Sequence, residues 1–143
     1  MITTSEMENN NKNLPLLLNG INILVAEDNI LNQKIANFIL KKQGAEVQTV
    51  LNGKEAIELL IGTNHFDVVL MDIQMPGMDG FKATEYIRKD LKNNIPIIGL
   101  TADMLVTATE ECIEAGMNAC VCKPFDPKSL CNLILSVIKE RGN

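Results

Sequence analysis

Four short apolar segments, each followed by a reactive polar residue, constrain the fold of this chain more than any other feature. Short runs rich in Val, Ile and Leu that alternate with helical patterns are typical of buried strands in a parallel sheet. Because the carboxyl ends of such strands meet at one edge of an open α/β sheet, we expect the polar residues to lie together there. The segments are 21–26, 66–71, 95–100 and 119–122, and they are followed in turn by Glu27 with Asp28, Asp72, Thr101 and Lys123.

The remaining pattern adds a short strand at 46–50 and five helical segments, which together complete five β-α units. We therefore predict an α/β fold of the flavodoxin-like, doubly wound type, with a five-stranded parallel sheet of order 2-1-3-4-5 and helices on both faces. The polar residues 1–19 are predicted to be a flexible tail or linker, and residues 20–143 to be the folded domain. The first helix carries an apolar stripe of Leu31, Ile35, Phe38 and Ile39. The last helix carries a second stripe, which is expected to face inward and consists of Leu130, Leu133, Ile134 and Val137.

Charge and cysteine content limit the classes of function. A net charge of −5 argues against nucleic-acid binding by this chain alone. The four cysteines form no CxxC pair, and Cys120 and Cys122 lie too far apart along a predicted strand for an easy disulfide. We expect all four to be reduced thiols in a cytoplasmic protein. No signal peptide or membrane-spanning segment is recognisable, so no membrane contact by this domain is expected.

The predicted cluster of acids indicates a site for a hard metal ion. Three carboxylates in one cleft repel one another unless a cation joins them, and Mg²⁺ prefers oxygen ligands. Asp28 and Asp72 could bind the ion directly, a backbone carbonyl near Gln74 could add a ligand, and Glu27 could act through water. A nearby lysine and hydroxyl, Lys123 and Thr101, suit an oxyanion such as a phosphoryl group. A carboxylate beside them can also act as a nucleophile and form an aspartyl-phosphate.

At this point the chain resembles the receiver domain of response regulators in two-component signalling. The resemblance extends over residues 21 to about 140. Any one of its motifs would be weak, but all four occur in order after the expected strands. They are Ala26-Glu27-Asp28-Asn29, the segment 71–80, Leu100-Thr101-Ala102 and Lys123-Pro124-Phe125.

The resemblance implies a role for each matching position. Asp72 would be the phosphoacceptor, and Glu27 and Asp28 the acidic metal pair. Thr101 would be the hydroxyl that moves toward the phosphoryl group on activation. Lys123 would bind the phosphoryl oxygens, and its peptide bond to Pro124 is expected to be cis in this family.

Further positions carry implied or altered roles. The backbone N–H of Ala102, just after Thr101, can donate to the phosphoryl group. Gln74 and Asp103 flank that group in receivers and are expected to set the lifetime of the phosphate. The family usually has an aromatic residue three positions before the lysine, where this chain has Cys120. The aromatic half of the usual switch is therefore absent.

The amino-acid sequence of the motifs resembles that of receivers in hybrid histidine kinases and phosphorelays more than that of transcription-factor receivers. The implied partner is a histidine kinase or a histidine phosphotransfer protein. Ile30, beside the acids, is either plain core or an exposed contact for a four-helix phosphotransfer domain.

Two other classes of function compete with the signalling interpretation. A Mg²⁺-dependent phosphatase with an aspartyl nucleophile would share the Asp, Thr and Lys. Such enzymes usually need a general acid two residues after the nucleophile, where this chain has Gln74. A pure interaction domain would have lost one of the acids or the lysine, and none is lost here.

Overall fold

Five parallel strands form one sheet in the order β2-β1-β3-β4-β5. The structure is a computed structural model and describes residues 16–63, 65–102 and 106–141. Strands and helices alternate along the chain, which confirms the predicted doubly wound α/β fold. The elements are β1 Asn22–Ala26, α1 Ile30–Lys42, β2 Glu46–Val50, α2 Gly53–Gly62, β3 Val68–Asp72, α3 Gly80–Lys89, β4 Ile97–Thr101, α4 Val106–Ala115, β5 Ala119–Cys122 and α5 Pro127–Arg141.

The strands separate two hydrophobic cores, because successive side chains of a strand point to opposite faces of the sheet. Leu24 of β1 packs into one core with residues of α2, α3 and α4. Its neighbour Val25 packs into the other core with residues of α1 and α5. Both central strands β3 and β4 are buried along their full length, as expected for a sheet covered on both faces.

Side-chain caps fix the start of three helices. Asn29, Asn52 and Asp79 each stand just before a helix and accept a hydrogen bond from a backbone N–H in its first turn. Such caps satisfy amide groups that have no partner within the helix. The helix starts next to the sheet edge are therefore defined by local sequence.

The apolar stripe predicted on the first helix is present, but most of it faces outward. Leu31, Ile35 and Phe38 are 65%, 45% and 69% exposed. The buried positions of α1 include Ala36 and Leu40. Small Ala36 allows the helix to approach the sheet closely, and the larger apolar side chains are left on the surface. The stripe on α5 behaves as predicted, since Leu130, Ile134 and Val137 are buried and Leu133 packs against the same core.

Packing against the domain begins before the predicted boundary at Gly20. Leu18 is fully buried, and its backbone N–H donates to the carbonyl of Gln43 at 2.9 Å. Leu18 thus belongs to the packed domain rather than to the tail predicted for residues 1–19, and residues 1–15 lie outside the described residues. Within the described part of the chain, no helix is long and apolar enough to cross a membrane.

Arg88 of α3 joins the two loops that precede β4 and β5, at the amino ends of these strands. Its Nη1 donates to the carbonyls of Asn93 and Ile95 at 2.9 and 2.7 Å, and its Nε to that of Gly116 at 2.9 Å. Its Nη2 donates to Oδ1 of Asn118 at 3.0 Å. One planar guanidinium therefore satisfies groups that follow α3, precede β4 and precede β5.

Replacing Arg88 by Met should lower the free energy of unfolding by roughly 2–4 kcal/mol, because several partly buried carbonyls lose their donor. Arg88→Lys should recover only part of this loss, since a single ammonium group cannot reach all four acceptors. Denaturant unfolding measures both effects. The control is the exposed neighbour variant Lys89→Met. Equal stability of Arg88→Met and Lys89→Met would contradict the bridging role.

Candidate functional site

Three carboxylates meet at the carboxyl ends of β1 and β3. These strands are neighbours, with Ala26 paired to Met71, so the residues that follow Ala26 reach the level of Asp72. One carboxylate oxygen from each of Glu27, Asp28 and Asp72 lies within 4.8 Å of the other two. Glu27 and Asp72 are buried, with 2% and 4% exposed, whereas Asp28 is exposed. The sheet thus forms the predicted acid cluster and leaves one of its members open to solvent.

Lys123 enters this cluster from the loop after β5. Its Nζ lies 2.8 Å from Oε1 of Glu27 and 3.3 Å from Oδ2 of Asp72. Its side chain is 20% exposed. A buried carboxylate pair would be strongly unfavourable without a counter-charge, and this ammonium group supplies one. The peptide bond between Lys123 and Pro124 is cis, as expected for the resembled family.

The two buried carboxyl groups differ in their proton affinity. Burial, together with the hydrogen bond and the negative charge of Glu27, raises the pKa of Asp72. Burial also tends to raise the pKa of Glu27, but hydrogen bonds with Asp72 and Lys123 outweigh it and lower that pKa. Of the two carboxyl groups, Asp72 therefore has the higher proton affinity.

Backbone donors from the adjoining turns also orient the acids. The N–H of Gln74 donates to Oδ1 of Asp72 at 3.2 Å, and the N–H of Asn29 donates to Oε2 of Glu27 at 3.3 Å. The side chain of Gln74 is exposed beside this site. The metal contact predicted for its backbone carbonyl stays a prediction.

Two residues that support the cluster were missed by sequence reasoning. Gln33 of α1 is buried, and its Nε2 donates to the carbonyl of Glu27. Spacing along the helix places Gln33 on one face with Ala36 and Leu40, but only the structure shows that this face is buried. Gly80 at the start of α3 lies so close to β3 that a Cβ there would collide with the carbonyl of Asp72. The glycine lets this helix begin directly against the site.

Thr101 and Ala102 lie at the same edge of the sheet. The N–H of Lys123 donates to the carbonyl of Thr101 at 2.7 Å, which joins the ends of β4 and β5. Thr101 is buried, whereas Ala102 is exposed. Ala102 and Lys123 line a cavity of about 340 Å³ that also contacts Asn32, Ile35, Pro124 and Phe125. Asp103 lies outside the described residues.

Cys120 stands apart from the acid cluster. It pairs with Gly99 in the sheet, and its Sγ lies 2.9 Å from Sγ of Cys112 on α4. The switch role suggested for this position stays a prediction. All four cysteines are free thiols, as expected.

The donor set fits a hard divalent cation. Three carboxylates supply oxygen ligands of the type that Mg²⁺ prefers, and the exposed Asp28 leaves room for retained water. A cation here would also relieve the repulsion between the buried carboxylates that contributes to the raised pKa of Asp72. The residues that would hold it are Glu27, Asp28 and Asp72.

Comparison with known proteins agrees with this arrangement. Over 135 residues the chain is 43% identical to Probable histidine kinase 4 of Oryza sativa subsp. japonica, covering 80% of this chain and 13% of that protein. It is also 36% identical over 129 residues to Hybrid signal transduction histidine kinase K of Dictyostelium discoideum, covering 85% of this chain and 11% of that protein. The chain thus spans only a small part of the curated relatives it matches.

A solved structure is similar over nearly the whole domain. It is the receiver domain of a sensor histidine kinase from Pseudomonas aeruginosa, with a magnesium ion coordinated in its active site cleft. The two chains are 35% identical with a TM-score of 0.74, over 84% of this chain and 98% of the other. Residues 23–135 match the response regulator receiver domain family. The acid cluster, the lysine and the sheet order together agree with that match, and the chain belongs to the family of response regulator receiver domains.

Proposed function

We propose that this domain accepts a phosphoryl group on Asp72 from a phosphohistidine of a partner protein, with Mg²⁺ bound by the acid cluster. The observation that carries the proposal is the contact of Lys123 Nζ with both Glu27 and Asp72 beside the third carboxylate. This arrangement joins a carboxylate nucleophile to positive charge at one accessible cleft. The partner is a histidine kinase or a histidine phosphotransfer protein.

The transfer needs little covalent chemistry from the protein. An oxygen of Asp72 forms a bond to phosphorus while the bond from phosphorus to the imidazole nitrogen breaks, and that nitrogen keeps the electron pair. The chain's task is to align the groups and neutralise the phosphoryl oxygens. Bound Mg²⁺ would supply further positive charge to those oxygens.

The residues around Asp72 are assigned separate tasks in this proposal. Lys123 exchanges part of its contact with the carboxylates for the phosphoryl oxygens, because its ammonium group is a mobile point charge. Thr101 and the N–H of Ala102 donate to the same oxygens from the end of β4. The exposed Gln74, together with Asp103, controls the approach of the water that hydrolyses the acyl phosphate.

Signalling rather than enzymatic turnover is the function that Gln74 favours. An aspartyl-nucleophile phosphatase would need a proton donor for the leaving group two residues after Asp72. An amide side chain cannot act as that general acid near neutral pH. Membership in a longer hybrid kinase is the context we infer from the relatives. The cytoplasm is the compartment we infer, because free thiols persist in a reducing environment.

The exposed apolar stripe of α1 is the surface that we assign to the phosphodonor. Ile35 lines the cavity next to Lys123, and Leu31 and Phe38 are exposed on the same face of the helix, one turn to either side of it. For Ile30 the sequence allowed either a core position or an exposed contact, and its side chain is 55% exposed. Exposed apolar side chains of this size at a reactive cleft are typical of a protein-binding surface. A helical phosphotransfer domain that packs on this stripe would bring its histidine to Asp72.

Incubation with acetyl phosphate and Mg²⁺ should add one phosphoryl group to the wild-type protein. The gain should vanish in Asp72→Asn, because an amide lacks the nucleophilic carboxylate. Intact-mass spectrometry measures the change, and omission of Mg²⁺ provides the metal control. Labelling of Asp72→Asn at the wild-type level would overturn the assignment. Repeated turnover of a small phosphomonoester would instead favour a phosphatase.

Asp72→Asn should stabilise the metal-free protein by roughly 1–3 kcal/mol at pH 8. Burial and Glu27 raise the pKa of Asp72 to about 7. A carboxyl group with a raised folded-state pKa loses stability as pH rises from its unfolded value near 4 through that folded value. The advantage of the variant should therefore shrink toward zero at pH 4.

Urea unfolding at both pH values measures this effect, with the exposed variant Glu58→Gln as a control of equal charge change. Mg²⁺ should raise the stability of the wild type more than that of Asp72→Asn, since binding to the folded state alone is stabilising. A wild type that is more stable than Asp72→Asn at pH 8 without metal would contradict the electrostatic account of the cluster.

Phe38→Ser should slow phosphotransfer from a protein donor by about tenfold or more, because the donor loses an apolar anchor. Labelling by acetyl phosphate should be unchanged, since this small donor needs no docking surface. The matched control is Ile61→Ser, which removes a side chain that is 63% exposed on α2. Equal transfer rates for both variants, with any phosphotransfer protein that labels the wild type, would exclude the stripe as the docking surface.

A further inference from the structure

Two thiols from different elements lie in direct contact on the face of the sheet that α2, α3 and α4 cover. Sγ of Cys112 on α4 is 2.9 Å from Sγ of Cys120 on β5. This distance is shorter than an ordinary van der Waals contact between two sulfur atoms. Cys112 is 1% exposed, whereas Cys120 is partly exposed. Of the two residues, Cys120 is therefore the more accessible to a small reagent.

Gly99 of β4 makes room for this pair. It is the sheet partner of Cys120, and a Cβ built on it would lie 3.4 Å from Sγ of Cys112 and 3.5 Å from Sγ of Cys120. It would also lie 2.6 Å from Sδ of Met117, so that a larger residue could not be placed without movement. The missing side chain therefore leaves space in which the two thiol sulfurs meet.

The turn between α4 and β5 holds the two thiols in place. The N–H of Met117 donates to the carbonyl of Cys112 at 2.9 Å, and the N–H of Asn118 donates to the carbonyl of Ile97 on β4 at 2.8 Å. These bonds fix the end of the helix and the start of the strand relative to the sheet. The sulfurs need only a short further approach, to about 2.05 Å, to form a covalent bond.

We propose that Cys112 and Cys120 form a reversible intramolecular disulfide that links α4 to β5 when the protein meets a peroxide. The sulfur of Cys120 attacks one peroxide oxygen, the O–O bond breaks, and a sulfenic acid and one water are formed. The sulfur of Cys112 then attacks that of Cys120, the S–O bond breaks, and a second water leaves with the remaining thiol proton. In total the two thiols lose two electrons and two protons, and hydrogen peroxide takes them up to become two water molecules.

The environment of the pair sets the order and the speed of these steps. Burial and the contact with Cys120 raise the pKa of Cys112 to about 12. Burial also raises the pKa of Cys120, although the hydrogen bond from Cys112 partly opposes this. Cys120 is accordingly the first to react, and the reaction is slower than that of an activated surface thiolate. The disulfide between Cys112 and Cys120 therefore forms during prolonged exposure to peroxide rather than during a short one.

The remaining cysteines lie less favourably for this bond and serve as controls. Cys131 is buried in the other core, on the opposite face of the sheet. Cys122 is two residues from Cys120 along one strand, and its Sγ lies 3.5 Å from the carbonyl of Lys123. Two residues apart on a strand, side chains on the same face are too distant for an unstrained disulfide.

Peptide mapping of the folded, unphosphorylated protein after treatment with hydrogen peroxide tests the proposal. The use of unphosphorylated protein makes the outcome independent of the proposed function. Cleavage after glutamate separates Cys112 from Cys120, because Glu114 lies between them. The second peptide, 115–140, also contains Cys122 and Cys131, so fragmentation of the linked pair assigns the bonded cysteine. We expect a linked pair of peptides that contains Cys112 and Cys120, the loss of two hydrogens from the intact mass, and full reversal by dithiothreitol.

Variants provide the matched comparison. Cys131→Ala and Cys122→Ser should keep the linked peptides, whereas Cys112→Ser should lose them and collect oxygen on Cys120 instead. A bond between Cys120 and Cys122, a dimer linked between chains, or stable oxygen adducts on Cys120 of the wild type would overturn the proposal. Because the wild-type map decides the question, a variant that fails to fold does not weaken the test.

Discussion

The contact of one ammonium group with two buried carboxylates is the interaction on which the site depends. Glu27 directly follows β1 and Asp72 ends the adjacent strand β3, where burial of both carboxylates is unfavourable without a counter-charge. Lys123 reaches them from the loop after β5 and compensates part of this repulsion. Compensation is incomplete, since the pKa of Asp72 remains raised. The cluster therefore attracts further positive charge, and this electrostatic deficit is what makes it suitable for a metal ion and an incoming phosphoryl group.

The fold places the acid cluster at the carboxyl ends of the buried strands, and it places the proposed docking surface on the neighbouring helix α1. The central strands are buried on both sides, so the positions of their last residues are fixed by two cores rather than by the loops. Gly80 and Gln33 then bring α3 and α1 close to the acids. On α1 the large apolar side chains of Leu31, Ile35 and Phe38 are exposed, and Ile35 lines the cavity next to Lys123. Chemistry and partner binding are thus supported by the same packing.

The pair of thiols illustrates how a parallel sheet brings distant chemistry together. Cys112 ends up beside Cys120 because α4 turns back into β5 and because Gly99 leaves space beneath both sulfurs. Nothing in the spacing of the cysteines along the chain indicated this contact. The pattern drew attention to Cys120 and Cys122 instead, which share a strand but are held apart by its geometry.

The sequence by itself determined the class of fold, the order of the elements and the set of reactive residues. Apolar runs that end in Glu27, Asp72, Thr101 and Lys123 can be read directly, because strand periodicity and the meeting of carboxyl ends at one edge are local and topological rules. Tertiary structure alone decided which face of α1 is buried, where packing begins near Leu18, and how Arg88, Gln33 and the thiol pair find their partners. These outcomes depend on the distance between packed elements, to which small side chains such as Ala36 and Gly99 contribute, and that distance is not encoded in any single segment.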